Sequence, residues 1–231
     1  MLARRRPAAS RAGDVTRLPT NGYYALTPIG KIDNAAAVHV VREVRASWHR
    51  IPIGQQEGKH VETWDAIRAR RNVRTYTDDP VAGADLDRIV EAGWRAPSAS
   101  NRQHWDFVVV TDRTQLGELS TVWRGAGHIA GAAAAIALVL PEPADERSRV
   151  VDQYDIGQAT YAIMLAATDL GIGTGHSSVG DQDKARAILG VPDDHFVAYL
   201  IGLGYPAGRA LTPIAKPDRR PLDEVVHRGR W

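Results

Sequence analysis

The spacing of apolar residues changes near residue 61, and that change marks where a packed fold is expected to begin. Residues 1–60 show poor periodicity and are punctuated by Pro7, Gly13, Pro19, Gly22, Pro28, Gly30, Pro52 and Gly54. A short helix over 35–48 fits Ala37, Val40, Val41 and Val44 at helical spacing, but no domain is expected there. An initiation codon placed too far upstream would account for such a stretch. The expectation is a disordered or weakly ordered extension over 1–60 and one folded domain over 61–231. From Val61 the pattern sharpens. Val61, Trp64 and Ile67 share one helix face, with Arg68, Arg70 and Arg71 at its end. Leu86, Ile89, Val90 and Gly93 define the inward face of a second helix over 85–94.

A Pro/Ser/Asn loop over 96–103 leads to a strand over 107–111, a helix over 114–123 and an apolar, buried strand over 133–140. Residues 152–170 read as a long alanine-rich helix, apolar on most sides and closed by Gly171. Asp181 can N-cap a short helix that ends at Gly190, just before Pro192. A third strand covers 195–203. The end of the chain, 212–231, is rich in Pro and Arg, with Leu222, Val225 and Val226 as anchors. No internal repeat is present. Helices around a modest sheet predict an α+β domain of three layers, α/β/α.

Composition narrows the chemistry. The chain has no cysteine, which excludes disulfides, thiolate catalysis and cysteine-ligated zinc or iron–sulfur centres. No metal site is expected. The longest apolar run, 132–140, is about half of the roughly 18 residues a membrane helix needs. Arg4, Arg5 and Arg6 have no apolar stretch behind them, so a secretory signal is not expected and a cytoplasmic location is. The net charge of +2 is unevenly placed: residues 1–60 hold ten Lys/Arg against four Asp/Glu, and residues 61–231 hold 19 against 23. The basic pI therefore argues little for nucleic-acid or membrane partners of the folded part.

Four segments could carry chemistry. In Arg70-Arg71-Asn72-Val73-Arg74, three guanidiniums stand in five residues where a helix ends. They suit a phosphate dianion, because the guanidinium fork matches phosphate oxygens; a solvated basic face is the alternative. The loop Ala96-Pro97-Ser98-Ala99-Ser100-Asn101-Arg102-Gln103-His104-Trp105 combines hydroxyls with two amides, which suit a heterocycle edge of alternating donors and acceptors. An ordinary helix-to-strand turn is the alternative. The glycines of Gly171-Ile172-Gly173-Thr174-Gly175-His176-Ser177-Ser178-Val179-Gly180 resemble a dinucleotide fingerprint, but they follow a helix rather than a strand. Close approach of backbone N–H groups to a flat ligand is the better use for them. Finally, Lys216, Arg219 and Arg220 form a second basic cluster, which either shares an anion with the first or is a charged tail.

In order and spacing these segments resemble the nitroreductase family, with its Arg-Arg-Ser-x-Arg opening and Pro-Ser-x-x-Asn-x-Gln-Pro-Trp loop. The resemblance covers about 61–231. It implies a mixed central sheet flanked by helices, an intertwined homodimer, and FMN at the subunit interface. It further implies that Arg70, Arg71 and Asn72 meet the FMN phosphate end, and that Arg74 lies near flavin N1 and O2. There a positive charge would stabilise the reduced flavin. Pro97, Ser98, Ala99, Ser100 and Asn101, with Gln103, would reach the partner's flavin. Ser178 and Val179 would approach N5 and O4 by backbone N–H, and Lys216, Arg219 and Arg220 would complete the phosphate site. Asn72 replaces the family's Ser, His104 replaces its Pro, and no acidic residue stands at 177–179.

The implied activity is an NAD(P)H-dependent flavin oxidoreductase that passes hydride through N5 to an acceptor such as a nitroaromatic or quinone. No side chain is expected to act as acid or base, and His176 is at most a pocket residue. An FMN storage or sensing protein, or a flavin-cleaving or dehalogenating enzyme of the same fold, is the alternative.

Overall fold

The computed structural model describes residues 62–231; the expectations for 1–60 lie outside them. Five helices surround a four-stranded sheet. They are α1 (Thr63–Ala69), α2 (Gly83–Trp94), α3 (Arg113–Leu119), α4 (Glu146–Asp169) and α5 (Gln182–Leu189). The strands are β1 (Asp106–Val110), β2 (Ala134–Pro141), β3 (Gly173–Ser178) and β4 (His195–Gly204), in the order β1-β2-β4-β3 with every neighbour antiparallel. Among the described residues the one parallel pairing is an isolated bridge, Asn72 to Thr174.

Strand geometry sends alternate residues of β2 to opposite faces. Ala135, Ala137 and Val139 meet Leu116, Leu119, Ala185 and Leu200 on the α3–α5 side. Ile136, Leu138 and Leu140 meet Ile89, Ile156, Ile163 and Ile201 on the α2–α4 side. This is the expected three-layer α/β/α arrangement, and β2 is its centre, buried along seven of its eight residues.

Several elements differ from the expectation. α3 stops at Leu119, because the hydroxyls of Ser120 and Thr121 turn back onto the carbonyls of Gly117 and Glu118 and compete with the helical ladder. α4 starts six residues earlier than expected. Asp145 caps it by accepting the Ser148 N–H at 2.7 Å, in a polar first turn that carries no apolar signal. α1 turns Trp64 outward and buries Ala66 and Ala69 instead. The glycine segment after α4 contains a strand, β3, that apolar spacing does not predict. α5 is capped as expected, with Asp181 accepting from Lys184 and Gly190 left-handed at φ 67°. Among the described residues no helix is long and apolar enough to cross a membrane.

Candidate functional site

Beyond α1 the chain runs extended along the free edge of β3. The Val73 N–H donates to the Thr174 carbonyl at 2.8 Å, and the Tyr76 hydroxyl donates to the Val73 carbonyl at 2.7 Å. The glycines explain how the strip fits. A Cβ on Gly175 would stand 2.4 Å from the Val73 carbonyl oxygen, and one on Gly204 would stand 2.9 Å from the Tyr76 ring. Bare strand backbone thus admits a second backbone at close range.

This strip places Arg70, Arg71 and Arg74 at one end of the sheet edge. Arg71 is half-buried, and its guanidinium donates to the carbonyls of Arg209 and Ala210. Burial, and then the charge of Arg209, hold its proton affinity below the usual level. The Ile214 N–H donates to the Arg68 carbonyl at 3.0 Å, so the segment leading to the C-terminal basic cluster lies against the first cluster. Sequence reasoning missed Arg209, whose place is set by contacts 138 residues apart. Lys216, Arg219 and Arg220 are exposed, and Arg220 pairs with Glu224 at 3.5 Å.

A cleft of about 370 Å³ opens beside this cluster, between α4 and the β3–β4 face. Arg70, Gln153, Thr160, Tyr161, His176 and Tyr199 are among its walls. The Arg70 guanidinium stands 5.7 Å over the Tyr161 ring. Ser178 pairs with Tyr199 in the β3–β4 register and is exposed, while Val179 is half-buried. Burial foremost, then the charges of Arg74, Arg70 and His128, push the His176 pKa below its ordinary value. His128 itself is wedged between two carbonyls, those of Gly125 at 3.1 Å and Gly175 at 2.8 Å. Nearby, the Trp123 indole covers Gly180, where a Cβ would lie 2.2 Å from the ring, and Arg124 sits 5.2 Å over the indole.

This donor set fits a phosphorylated heterocycle. No carboxylate among the described residues pairs with Arg70 or Arg74, so positive charge gathers around His176 without a counter-ion. The Thr174 hydroxyl, buried in β3, has no hydrogen-bond partner. The unpaired charge is met by FMN, whose phosphate is anionic. No group of three or more metal-binding side chains is found among the described residues.

The loop over 97–104 follows a constrained path. Ser100, Asn101 and Gln103 have φ of 53°, 56° and 53°, a left-handed region that costs a non-glycine residue roughly 1–2 kcal/mol. Its own polar groups staple it: the Gln103 N–H donates to the Ser98 hydroxyl at 3.0 Å, and the Gln103 amide donates to the Asn101 carbonyl at 3.1 Å. Two acidic residues of α4 that sequence reasoning did not single out, Asp152 and Asp155, also bind it. Pro97, Ala99, Ser100 and Asn101 are exposed. The loop and the cleft meet different sides of α4. At 100° per residue, Asp155 projects roughly 150° from the cleft residues Gln153 and Thr160, and Asp152 roughly 90° from them.

A sequence profile described as the Nitroreductase family matches residues 67–122 and 118–205. An Archaeoglobus fulgidus protein, provisionally named NADH dehydrogenase/NAD(P)H nitroreductase, is 31% identical over 169 residues, covering 71% of this chain and 96% of its own. The FMN reductase [NAD(P)H] of Bacillus subtilis is 27% identical over 189 residues, covering 74% of each chain. The solved structure of an FMN-dependent nitroreductase from Clostridium difficile superposes with a TM-score of 0.64 at 26% identity. It covers 73% of this chain and 99% of that one.

Proposed function

The chain belongs to the nitroreductase family, and on that premise we propose that it is an FMN-dependent oxidoreductase. It takes reducing equivalents from NAD(P)H and delivers them to a small-molecule acceptor, such as a nitroaromatic or quinone. The observation that carries the reading is the uncompensated positive charge of Arg70 and Arg74 around His176, at the mouth of the cleft beside β3. When bound, FMN supplies the chemistry, accepting hydride from the nicotinamide and passing electrons to the acceptor.

The protein's own residues bind and tune. Arg70, Arg71 and Asn72, with Lys216, Arg219 and Arg220, hold the phosphate; Arg74 favours the reduced state by its charge. The backbone of Ser178 and Val179 lies along the ring edge. His176 lines the pocket as a neutral imidazole at neutral pH, because its pKa is depressed. The FMN-binding domain is residues 61–231, and the use of NAD(P)H agrees with the cytoplasmic location expected from the sequence.

The working unit is a homodimer. The loop residues Pro97, Ser98, Ala99, Ser100, Asn101 and Gln103 serve the partner's FMN, which the placement of loop and cleft on different sides of α4 supports. Val150 and Tyr154 on α4, 56% and 71% exposed, offer an apolar face for the second subunit.

The test is anaerobic reduction of FMN-reconstituted protein by NADH and by NADPH, followed by reoxidation with a nitroaromatic. Bleaching and recovery of the flavin absorbance are expected. Failure to take up FMN overturns the reading, and a bound flavin that neither nicotinamide reduces points to storage or sensing.

A further inference from the structure

Among the described residues, two buried carboxylates of α4 have all their side-chain hydrogen-bond partners in one exposed loop. Asp155 accepts the Ala99 backbone N–H at 3.0 Å. Asp152 accepts from the Arg102 guanidinium at 2.5 Å and lies 3.2 Å from the His104 imidazole. Three residues apart, the two acids are neighbours on the helix surface. A carboxylate out of water needs charged or N–H partners, and here the loop supplies every one. The need runs both ways. The loop contains no glycine, yet Ser100, Asn101 and Gln103 are left-handed; Asn tolerates that region, but Ser and Gln have no preference that keeps them there. The tethers at Ala99 and at Arg102 and His104 bracket those residues. His104 stands where the family motif has Pro, which would carry no nitrogen toward Asp152, so this second tether is a feature of this chain.

We propose that Asp155 and Asp152 are positioning residues for the flavin of the partner subunit. They fix the 98–103 loop in its left-handed path and so set how firmly Ser100 and Asn101 grip that flavin. The inference rests on the FMN reading and on the dimer. It assigns to one helix two tasks: lining the cleft of its own subunit and holding the loop that closes the other.

The test uses holoenzyme variants Asp155→Ala, Asp155→Asn and Asp152→Ala. FMN dissociation should accelerate about tenfold or more in the two alanine variants, the loss of a charge-assisted hydrogen bond to a buried acid. Asp155→Asn keeps an acceptor for the Ala99 N–H and should restore most of the retention. A merely structural role would lower the melting temperature and leave the dissociation rate alone. Direction of action is read from heterodimers made by co-expressing differently tagged subunits, one Asp155→Ala and the other Arg70→Ala with Arg74→Ala. One site then combines an intact cluster with an intact loop, so one FMN per dimer should leave at the wild-type rate. Two weakened sites and no wild-type-like one would show that the loop serves its own chain. Either that result or wild-type dissociation from Asp155→Ala overturns the inference while leaving the enzyme reading standing. A wild-type protein that takes up no FMN overturns both.

Discussion

Arg74 is exposed and has no carboxylate partner among the described residues, yet its charge is felt at His176. Arg74→Ala should weaken FMN binding roughly ten- to hundredfold, the range of a charge-assisted hydrogen bond, and lower the flavin potential. Titration and potentiometry check this, and unchanged affinity and potential refute it. His176 gives a pH signature. Its folded pKa is depressed, by burial first and then by Arg74, Arg70 and His128, so the unfolded chain binds the proton more readily. Stability therefore falls as the pH drops through about 6.5 and levels off below the folded pKa. His176→Asn should reduce the fall in apo-protein melting temperature between about pH 7.5 and 5.5; equal falls in variant and wild type count against the assignment. The arginine cluster was legible because three guanidiniums crowd five residues. Arg209 and His128 were not, since their neighbours come from far along the chain.

At the scale of elements, glycine has opposite meanings in β3 and α3. Gly175→Ala sets a Cβ 2.4 Å from the Val73 carbonyl, a backbone atom that cannot swing aside. It should destabilise the fold by about 1–3 kcal/mol and weaken FMN binding, because the strip bearing Arg74 must lift. A Cβ on Gly117, within α3, meets nothing within 4 Å. Gly117→Ala should stabilise by about 0.5–1 kcal/mol, and paired thermal melts compare the two. The glycines around β3 were visible in the sequence, but the strand they form was not. They lack side chains because another stretch of backbone occupies that space, a fact no local pattern carries. The early start of α4 was hidden for a different reason: its first turn is held by the Asp145 cap and a Glu146–Arg149 pair rather than by apolar spacing.

For the whole molecule, the three layers followed from counting helices around apolar strands, while the division of the core did not. β2 is apolar on both faces, so its residues show no alternation from which the two clusters could be told apart. The partner surface is open to direct test. Tyr154→Lys places a charge in this apolar face of α4 and should shift the sedimentation coefficient toward the monomer, with loss of FMN retention. A monomer that keeps FMN tightly would contradict the shared site. α4 faces the core, the loop and the cleft, whose side continues into the exposed Tyr154, so nearly every substitution along it disturbs some duty. Mutational drift is therefore confined on the longest helix, where a change that suits one neighbour is felt by another.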